Sequence, residues 1–255
     1  RKGNNTMKKA TITLGSCMLG LAWSGAVLAD NHAGDIAQAE MYTCNYVDGA
    51  GRADLDRVTA KWNKWSDKND QSGYTAWILT PNFVNPDITM DVGWLGAWPN
   101  ATAMGENLDV WRAKGMQADF DAVIKCDNHT GVAVMTVREP ANPPGSGVVT
   151  FASCKVPEGK TIDDAIAAHQ EAGKYMGDKH GITAGAYMFF PTHGAGSVEM
   201  DYYFVLGHQN YASLGKAREA LNTGGAWEKL RDIMGGRVDC DVPRVYAADQ
   251  VRSGS

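Results

Sequence analysis

The sequence predicts an α+β fold made of two tandem βαββαβ repeats. Three observations favour it: residues of the two halves match at a fixed offset, both halves show the same order of strand and helix periodicities, and a proline- and glycine-rich segment separates them. That segment, 138–147, cannot continue as helix or central strand because proline lacks a backbone N–H. We predict the repeats at 41–137 and 148–247, with 138–147 as the linker.

The matches between the halves form a colinear series at an offset of 110 residues. The pairs are Cys44 and Cys154, Pro81 and Pro191, Met90 and Met200, Asp91 and Asp201, Asn100 and Asn210, and Gly105 and Gly215. Cys126 and Cys240 continue the series at an offset of 114. A single match arises easily by chance, whereas a series in this order indicates an internal duplication.

Hydrophobic periodicity places the elements of the first half. Leu55, Val58 and Trp62 recur at helical spacing, which predicts an amphipathic helix. Val92 and Trp94 alternate with aspartate and glycine, which predicts a strand. The predicted elements are strand 41–47, helix 53–68, strands 74–81 and 88–98, a broken helix from the N-cap Asn100 to about 124, and a strand from about 126.

The second half repeats this order. Thr161 and Asp164 form a variant of the capping box that begins helices. The predicted elements are strand 149–156, helix 161–177, strands 183–190 and 198–207, helices 211–221 and 225–234, and strand 237–246. Asp91 and Asp201 fall mid-strand, where they are expected to face solvent or a sheet interface. If they faced each other there, repulsion would raise a pKa and make one of them a candidate acid.

A βαββαβ unit is the ferredoxin-like motif. On this element order, its size and its duplication, residues 41–247 resemble the dimeric α/β-barrel superfamily, and in particular a tandem of antibiotic-biosynthesis-monooxygenase-type domains. The resemblance implies that the two ferredoxin-like repeats pack as one intramolecular α/β barrel. It brings no catalytic residue with it, because the sequence carries no residue-level signature. The superfamily includes cofactor-free oxygenases, haem-handling enzymes and binding proteins, so the fold leaves the function open.

The N-terminal residues predict export. Met7, Lys8 and Lys9 open a basic region, an apolar run follows, and Ala29 supplies the small residue that a signal peptidase reads. Residues 1–29 are interpreted as a signal peptide with an upstream extension, and the mature protein as periplasmic or extracellular without a membrane span. A net charge of −5 gives no electrostatic reason to expect a nucleic-acid partner. The oligomeric state is left open.

Familiar catalytic and cofactor motifs do not occur in the sequence. It has no Gly-x-Gly-x-x-Gly segment or P-loop, no Gly-x-Ser-x-Gly elbow, and neither Cys-x-x-Cys nor His-Glu-x-x-His. No pair of histidines has the close spacing of metal ligands. The sequence therefore predicts neither a cofactor nor a metal site.

Four aromatic residues of the first half are matched by histidine or tyrosine in the second half. The matched positions are Trp62 and His169, Trp77 and Tyr187, Phe83 and His193, and Trp98 and His208. Because histidine can act as acid or base near neutral pH, the second half is a candidate for a pocket with catalytic His169, His208, Tyr187 and His193. In the alternative interpretation, His169 is a hydrogen-bonded core residue and His193 is exposed in a loop.

Tryptophan is concentrated in the first half, where six of the seven beyond residue 29 lie between 62 and 111. We predict that Trp62, Trp77, Trp94 and Trp98 line an aromatic ligand cleft between sheet and helices, since buried Trp requires a partner for its N–H. Core packing is the alternative interpretation.

The four cysteines beyond residue 29 predict two disulfides. The first and last strands of a βαββαβ unit are antiparallel neighbours, and each half has one cysteine on each of them. Of three possible connectivities, the duplication selects Cys44–Cys126 and Cys154–Cys240. Export to an oxidising compartment would let both bonds persist. Four buried free thiols are the alternative.

Two functions remain open from the sequence. The first is an exported protein that binds a small organic molecule in the aromatic cleft. The second is a cofactor-independent, monooxygenase-like enzyme acting on a small organic substrate in the second-repeat pocket, with His208 or His169 as general base and Tyr187 orienting the substrate. Binding is favoured because no catalytic motif is complete.

Overall fold

The structure is a computed structural model, and it describes residues 36–71, 73–142 and 145–254. The predicted signal peptide and two residues of the linker lie outside these ranges. The first half contains β1 (Ala37–Tyr46), α1 (Arg52–Lys68), β2 (Thr75–Phe83), β3 (Val92–Trp98), α2 (Ala101–Lys114), α3 (Gln117–Asp121) and β4 (Ile124–Arg138). The second contains β5 (Gly147–Lys155), α4 (Ile162–His180), β6 (Gly185–His193), β7 (Tyr202–His208), α5 (Tyr211–Asn222), α6 (Ala226–Met234), β8 (Asp239–Cys240) and β9 (Arg244–Arg252).

Eight strands close into an antiparallel barrel. Their order is β4-β1-β3-β2-β9-β5-β7-β6, and β6 pairs with β4 to complete the ring. Each half supplies four neighbouring barrel strands. Within each half these strands and the helices follow one another in the predicted order. Closure leaves none of these eight strands with a free edge. The predicted α+β class and barrel are confirmed at this level.

Alternate residues of a strand point to opposite sides of the sheet, and both sides carry buried apolar residues. The buried cluster inside the barrel comprises Ala39, Leu79, Leu95, Val132, Val134, Val149, Phe151, Phe189, Val205, Tyr246 and Ala248. On the outer side of the first half, residues of α1 and α2 pack with tryptophans of β3. On the outer side of the second half, Ile166 of α4 packs with Cys154 and Tyr202.

The predicted helix starts are present. The Asn100 side chain accepts a hydrogen bond from the Ala103 N–H at 2.9 Å. The Thr161 hydroxyl accepts from the Asp164 N–H at 3.2 Å, while the Asp164 carboxylate accepts from the Thr161 N–H at 2.9 Å. These bonds satisfy N–H groups that a helix leaves without internal partners. No helix in the described ranges is long and apolar enough to cross a membrane.

The predicted strand 237–246 is wrong. The chain forms only the two-residue β8 there, and the long strand β9 begins at Arg244 and continues beyond 247 to Arg252. Pro243 has no N–H to donate to a ladder, and Val242 beside it is 85% exposed. The apolar residues on both sides of this break suggested one continuous strand.

The two matched aspartates lie before strands rather than within them, which corrects the mid-strand prediction. Asp91 precedes β3, and its carboxylate accepts a hydrogen bond from the Tyr46 N–H at 3.0 Å. Asp201 precedes β7, and its carboxylate accepts from the Val156 N–H at 2.6 Å. Both side chains are exposed, and each accepts a hydrogen bond from the end of the first strand of its half. They do not face each other as an acid pair.

Both predicted disulfides are present. Cys44 pairs with Cys126 across β1 and β4, and Cys154 pairs with Cys240 across β5 and β8. The reasoning from neighbouring first and last strands is confirmed in the first half. In the second half the partner of β5 at the disulfide is the short β8, because the ladder is interrupted before β9.

Candidate functional site

Two cavities lie on opposite faces of the sheet. The larger one, about 450 Å³, is inside the barrel. The smaller one, about 100 Å³, lies between the sheet and the helices of the first half. We call them the barrel cavity and the aromatic cavity.

The barrel cavity is bordered by residues from all eight barrel strands and by the linker. Its apolar wall includes Ala37, Ala39, Leu95, Ala97, Val134, Val148, Val149, Phe189, Val205 and Ala248. Polar groups come from Trp77, Thr136, Asn142, Tyr187, Gln209 and the linker backbone. The Trp77 indole N–H donates to the Gly145 carbonyl at 3.0 Å, which joins β2 to the linker at the border of the cavity.

Tyr187 is the polar aromatic residue of this cavity. Its ring folds back over Gly185, where a Cβ would lie 2.7 Å from the Tyr187 hydroxyl. Burial, followed by the charge of Glu139, raises the pKa of the Tyr187 hydroxyl. The group therefore stays protonated and is available as a donor near neutral pH.

The aromatic cavity contains three of the four tryptophans predicted to bind a ligand. It is lined by Glu40, Tyr42, Cys44, Trp62, Gln71, Tyr74, Trp94, Trp98, Asn107, Leu108, Trp111, Gln117, Phe120, Ile124 and Cys126. Trp77 is absent because it sits at an odd position of β2, whose odd residues face the barrel. The predicted set Trp62, Trp77, Trp94 and Trp98 is thus divided between the two cavities.

A buried carboxylate organises the aromatic cavity. Glu40 is 8% exposed, and its Oε1 accepts a hydrogen bond from the Tyr74 hydroxyl at 2.6 Å. The Tyr74 oxygen in turn accepts from the Trp94 indole N–H at 2.8 Å. Burial and the Glu40 charge raise the pKa of Tyr74 well above its ordinary value, so its hydroxyl remains a donor. The chain Trp94–Tyr74–Glu40 is fully hydrogen-bonded.

His129 connects this chain to the surface. Its Nε2 lies 2.9 Å from Glu40 Oε2, and its side chain is 47% exposed. The Tyr42 ring stacks on the imidazole with ring centroids 3.8 Å apart. Trp98 makes another polar contact in the cavity, because its indole N–H donates to the Asn107 side chain at 3.0 Å.

His169 occupies a closed site in the second half. Its Nε2 lies 2.9 Å from the Tyr202 hydroxyl, and its ring stacks on Phe204 at 3.7 Å. The residue is 1% exposed, and burial lowers the pKa of the imidazole to about 3. Its ring lies close to the sulfurs of Cys154 and Cys240, but these are joined as a disulfide and offer no thiolate to a metal.

His208 borders the barrel cavity at the end of β7. Along this strand Val205 belongs to the barrel core, whereas Tyr202 and Phe204 contact His169 on the helix-facing side. Strand alternation assigns the His208 ring to that outer side. Burial, with the charges of Arg138 and Arg218, lowers the pKa of His208 to about 4. Its Nε2 has no hydrogen-bond partner.

The four predicted catalytic residues therefore do not share one described pocket. Tyr187 and His208 border the barrel cavity, His169 borders neither cavity, and His193 is exposed at the end of β6 with its Nδ1 3.0 Å from the Thr192 hydroxyl. The core interpretation of His169 and the exposed interpretation of His193 match these positions.

Sequence reasoning missed Glu40, Tyr74 and His129. A signal for Glu40 was available, because it alternates in phase with Tyr42 and Cys44, and a disulfide cysteine marks the buried, helix-facing side of β1. Tyr74 and His129 could not be found in this way. Their contacts with Glu40 cross 34 and 89 positions of the chain.

Comparison with solved structures shows the same fold at low sequence identity. A protein from Fusobacterium nucleatum assigned as a monooxygenase gives a TM-score of 0.55 at 7% identity, covering 85% of this chain and 93% of that one. A protein assigned as a chlorite dismutase gives 0.53 at 12% identity, covering 85% and 96%. A heme-binding protein from Thermus thermophilus gives 0.50 at 10% identity, covering 84% and 91%. The shared fold agrees with the predicted dimeric α/β-barrel resemblance.

No protein-family model matches the sequence, and no curated protein is detectably similar to it.

Proposed function

We propose that this protein binds a small, largely apolar organic molecule inside the barrel. The observation that carries the proposal is the cavity of about 450 Å³. Ligand pockets typically span roughly 300–1,000 Å³, with mostly apolar walls and a few well-placed polar groups. The barrel cavity has both properties.

The size of the cavity argues against a packing defect. Protein interiors are close-packed, and their few voids are rarely larger than a water molecule. An empty apolar cavity costs stability in rough proportion to its volume. Small side chains such as Ala37, Ala39, Ala97 and Ala248 maintain this space where larger residues would fill it.

Tyr187 and Thr136 supply the groups that would orient the ligand. Both border the cavity among apolar neighbours, so a hydrogen bond to either would form away from bulk water. A ligand with one acceptor and an apolar body of one or two rings fits this arrangement. The predicted aromatic cleft corresponds to the separate, smaller cavity, and of its four tryptophans only Trp77 lines the barrel cavity.

The proposal includes export and duplication. The two disulfides are typical of extracellular proteins, and they support the interpretation of residues 1–29 as a signal peptide. The repeated disulfides and the equivalent hydrogen bonds of Asp91 and Asp201 support two tandem ferredoxin-like repeats.

The enzymatic alternative has only the fold in its favour. Two of the similar structures are named for a monooxygenase or a chlorite dismutase, but identities near 10% say nothing of activity. Of the two general bases proposed from the sequence, His169 borders neither cavity and contacts Tyr202. His208 borders the barrel cavity, but strand alternation assigns its ring to the helix-facing side of β7. Substrate-dependent oxygen uptake by the purified protein would support this alternative over simple binding.

His169 and His208 do not offer a haem ligand to the barrel cavity, although one of the similar structures is named as a heme-binding protein. Haem iron needs an axial side chain such as histidine facing a cavity. The Nε2 of His169 is engaged by Tyr202, and the His208 ring belongs to the helix-facing side of β7. Neither imidazole is presented to the barrel cavity.

Cavity filling tests the proposal. Ala39→Leu would place three more carbons in the barrel cavity, whereas Ala60→Leu adds the same group at an exposed position of α1 and serves as the control. Indole and naphthalene are suitable ligands for thermal-shift and calorimetric titration. A ligand at about 100 times its Kd should raise the free energy of unfolding by about 2.7 kcal/mol. Binding that survives Ala39→Leu unchanged would contradict the proposal.

A further inference from the structure

The aromatic cavity has a single charged lining residue. That residue is Glu40, and no lysine or arginine lines the cavity within the described ranges. His129 contacts Glu40 from the exposed side. The Arg252 guanidinium lies 5.8 Å from the Trp62 ring centroid and pairs with Asp67 at 2.9 Å. The charge of the cavity lining is therefore negative and is located at Glu40.

Aromatic residues make up half of the remaining lining, seven of fourteen residues. They are Tyr42, Trp62, Tyr74, Trp94, Trp98, Trp111 and Phe120. The polar edges of two tryptophans are already used, because Trp94 donates to Tyr74 and Trp98 donates to Asn107. A ligand would meet mainly the π-systems, whose negative faces attract cations.

The fold itself does not require Glu40, Tyr74 and Trp94 at these positions. At the equivalent positions of the second half, Thr150 replaces Glu40, Ala184 replaces Tyr74 and Phe204 replaces Trp94. The register is the same, since Glu40 pairs with Gly96 across β1–β3 and Thr150 pairs with Leu206 across β5–β7. A buried carboxylate is costly unless it is compensated. Its presence in one half only indicates a role beyond packing.

We propose that the aromatic cavity is a second binding site, specific for a small organic cation such as a quaternary ammonium group. The Glu40 carboxylate supplies the opposite charge, and the surrounding aromatic rings supply cation–π contacts. A volume of about 100 Å³ suits a head group of a few heavy atoms rather than a large ligand. Anions are disfavoured by Glu40. The inference is independent of the barrel cavity.

Calorimetric titration at constant ionic strength tests this site. The ligands are choline chloride, tetramethylammonium chloride and the uncharged isostere of choline in which carbon replaces the quaternary nitrogen. The two cations should bind at least about tenfold more tightly than the isostere, because only they gain the charge and cation–π terms. Equal binding of choline and its isostere, or no binding of either cation, would overturn the proposal.

Variants locate the site. Glu40→Gln keeps an oxygen that can accept from Tyr74 but removes the charge, so choline affinity should fall about tenfold or more while the isostere is unaffected. Glu199→Gln is the matched control, because Glu199 is 98% exposed and belongs to the second half. Choline binding that is unchanged by Glu40→Gln would place the cation elsewhere and contradict the proposal. If Glu40→Gln does not fold, the comparison of choline with its isostere still decides.

Discussion

The Tyr74 hydroxyl occupies the space that a side chain at Gly96 would need. Gly96 pairs with Glu40 across β1 and β3, and a Cβ built on it would collide with the hydroxyl and ring of Tyr74. The absence of a side chain at Gly96 therefore allows Tyr74 to reach the buried carboxylate.

Gly96→Ala should destabilise the protein by about 1–3 kcal/mol, because the added methyl group forces Tyr74 away from Glu40. Chemical denaturation measures the change. Gly105→Ala is the matched control: it has open space around it within α2, so alanine should raise stability by roughly 0.5–1 kcal/mol. Equal effects of the two substitutions would show that Gly96 is not closely packed.

Tyr74→Phe should cost about 1–3 kcal/mol of unfolding free energy. It removes a hydroxyl that donates to Glu40 and accepts from Trp94, and both buried partners lose a hydrogen bond. Tyr211→Phe, at a residue that is 43% exposed, should change stability by less than about 0.5 kcal/mol. A neutral effect of Tyr74→Phe would mean that water replaces the hydroxyl.

Each disulfide should contribute about 4 kcal/mol, because the bonds close loops with sequence separations of 82 and 86. The double variants Cys44→Ala with Cys126→Ala and Cys154→Ala with Cys240→Ala should each lower the denaturation midpoint. Non-reducing peptide mapping of the unmodified protein should recover the same two links. A Cys44–Cys154 link would be incompatible with the strand pairing.

Stability should fall as the pH is lowered from about 6.5 to 5. Burial holds the pKa of His169 at about 3 and that of His208 at about 4. Unfolded histidine titrates near 6.5, so below that pH the unfolded chain binds protons that the folded chain does not. For each histidine the expected loss steepens from about 0.7 kcal/mol per pH unit at pH 6.5 towards about 1.4 kcal/mol per pH unit near pH 5.

Urea denaturation across this window measures the slope. His208→Trp, which installs the residue that the sequence match pairs with His208 in the first half, should remove about half of the slope. His193→Gln is the control, because His193 is exposed to water in the folded protein as well. An unaltered slope in His208→Trp would show that His208 is not buried in its neutral form.

The sequence by itself determined most of the elements and both disulfides. Helix 53–68 was predicted to within one residue of α1, because its apolar stripe repeats at helical spacing and local contacts decide helices. Both cystine pairs followed from the repeated order of the elements, since that order fixes which strands are neighbours. The predicted strand 237–246 is wrong because Pro243, which has no N–H to donate, separates β8 from β9.

Only the tertiary structure decided which residues meet in a cavity. Trp77 and Trp94 look alike in the sequence, yet strand parity and barrel closure put them on opposite faces of one sheet. The Glu40–Tyr74–His129 contacts depend on pairings between distant segments, and no local periodicity encodes them. A strand's sequence shows that its two faces differ; which face looks into the barrel is fixed only when eight strands close around a common interior.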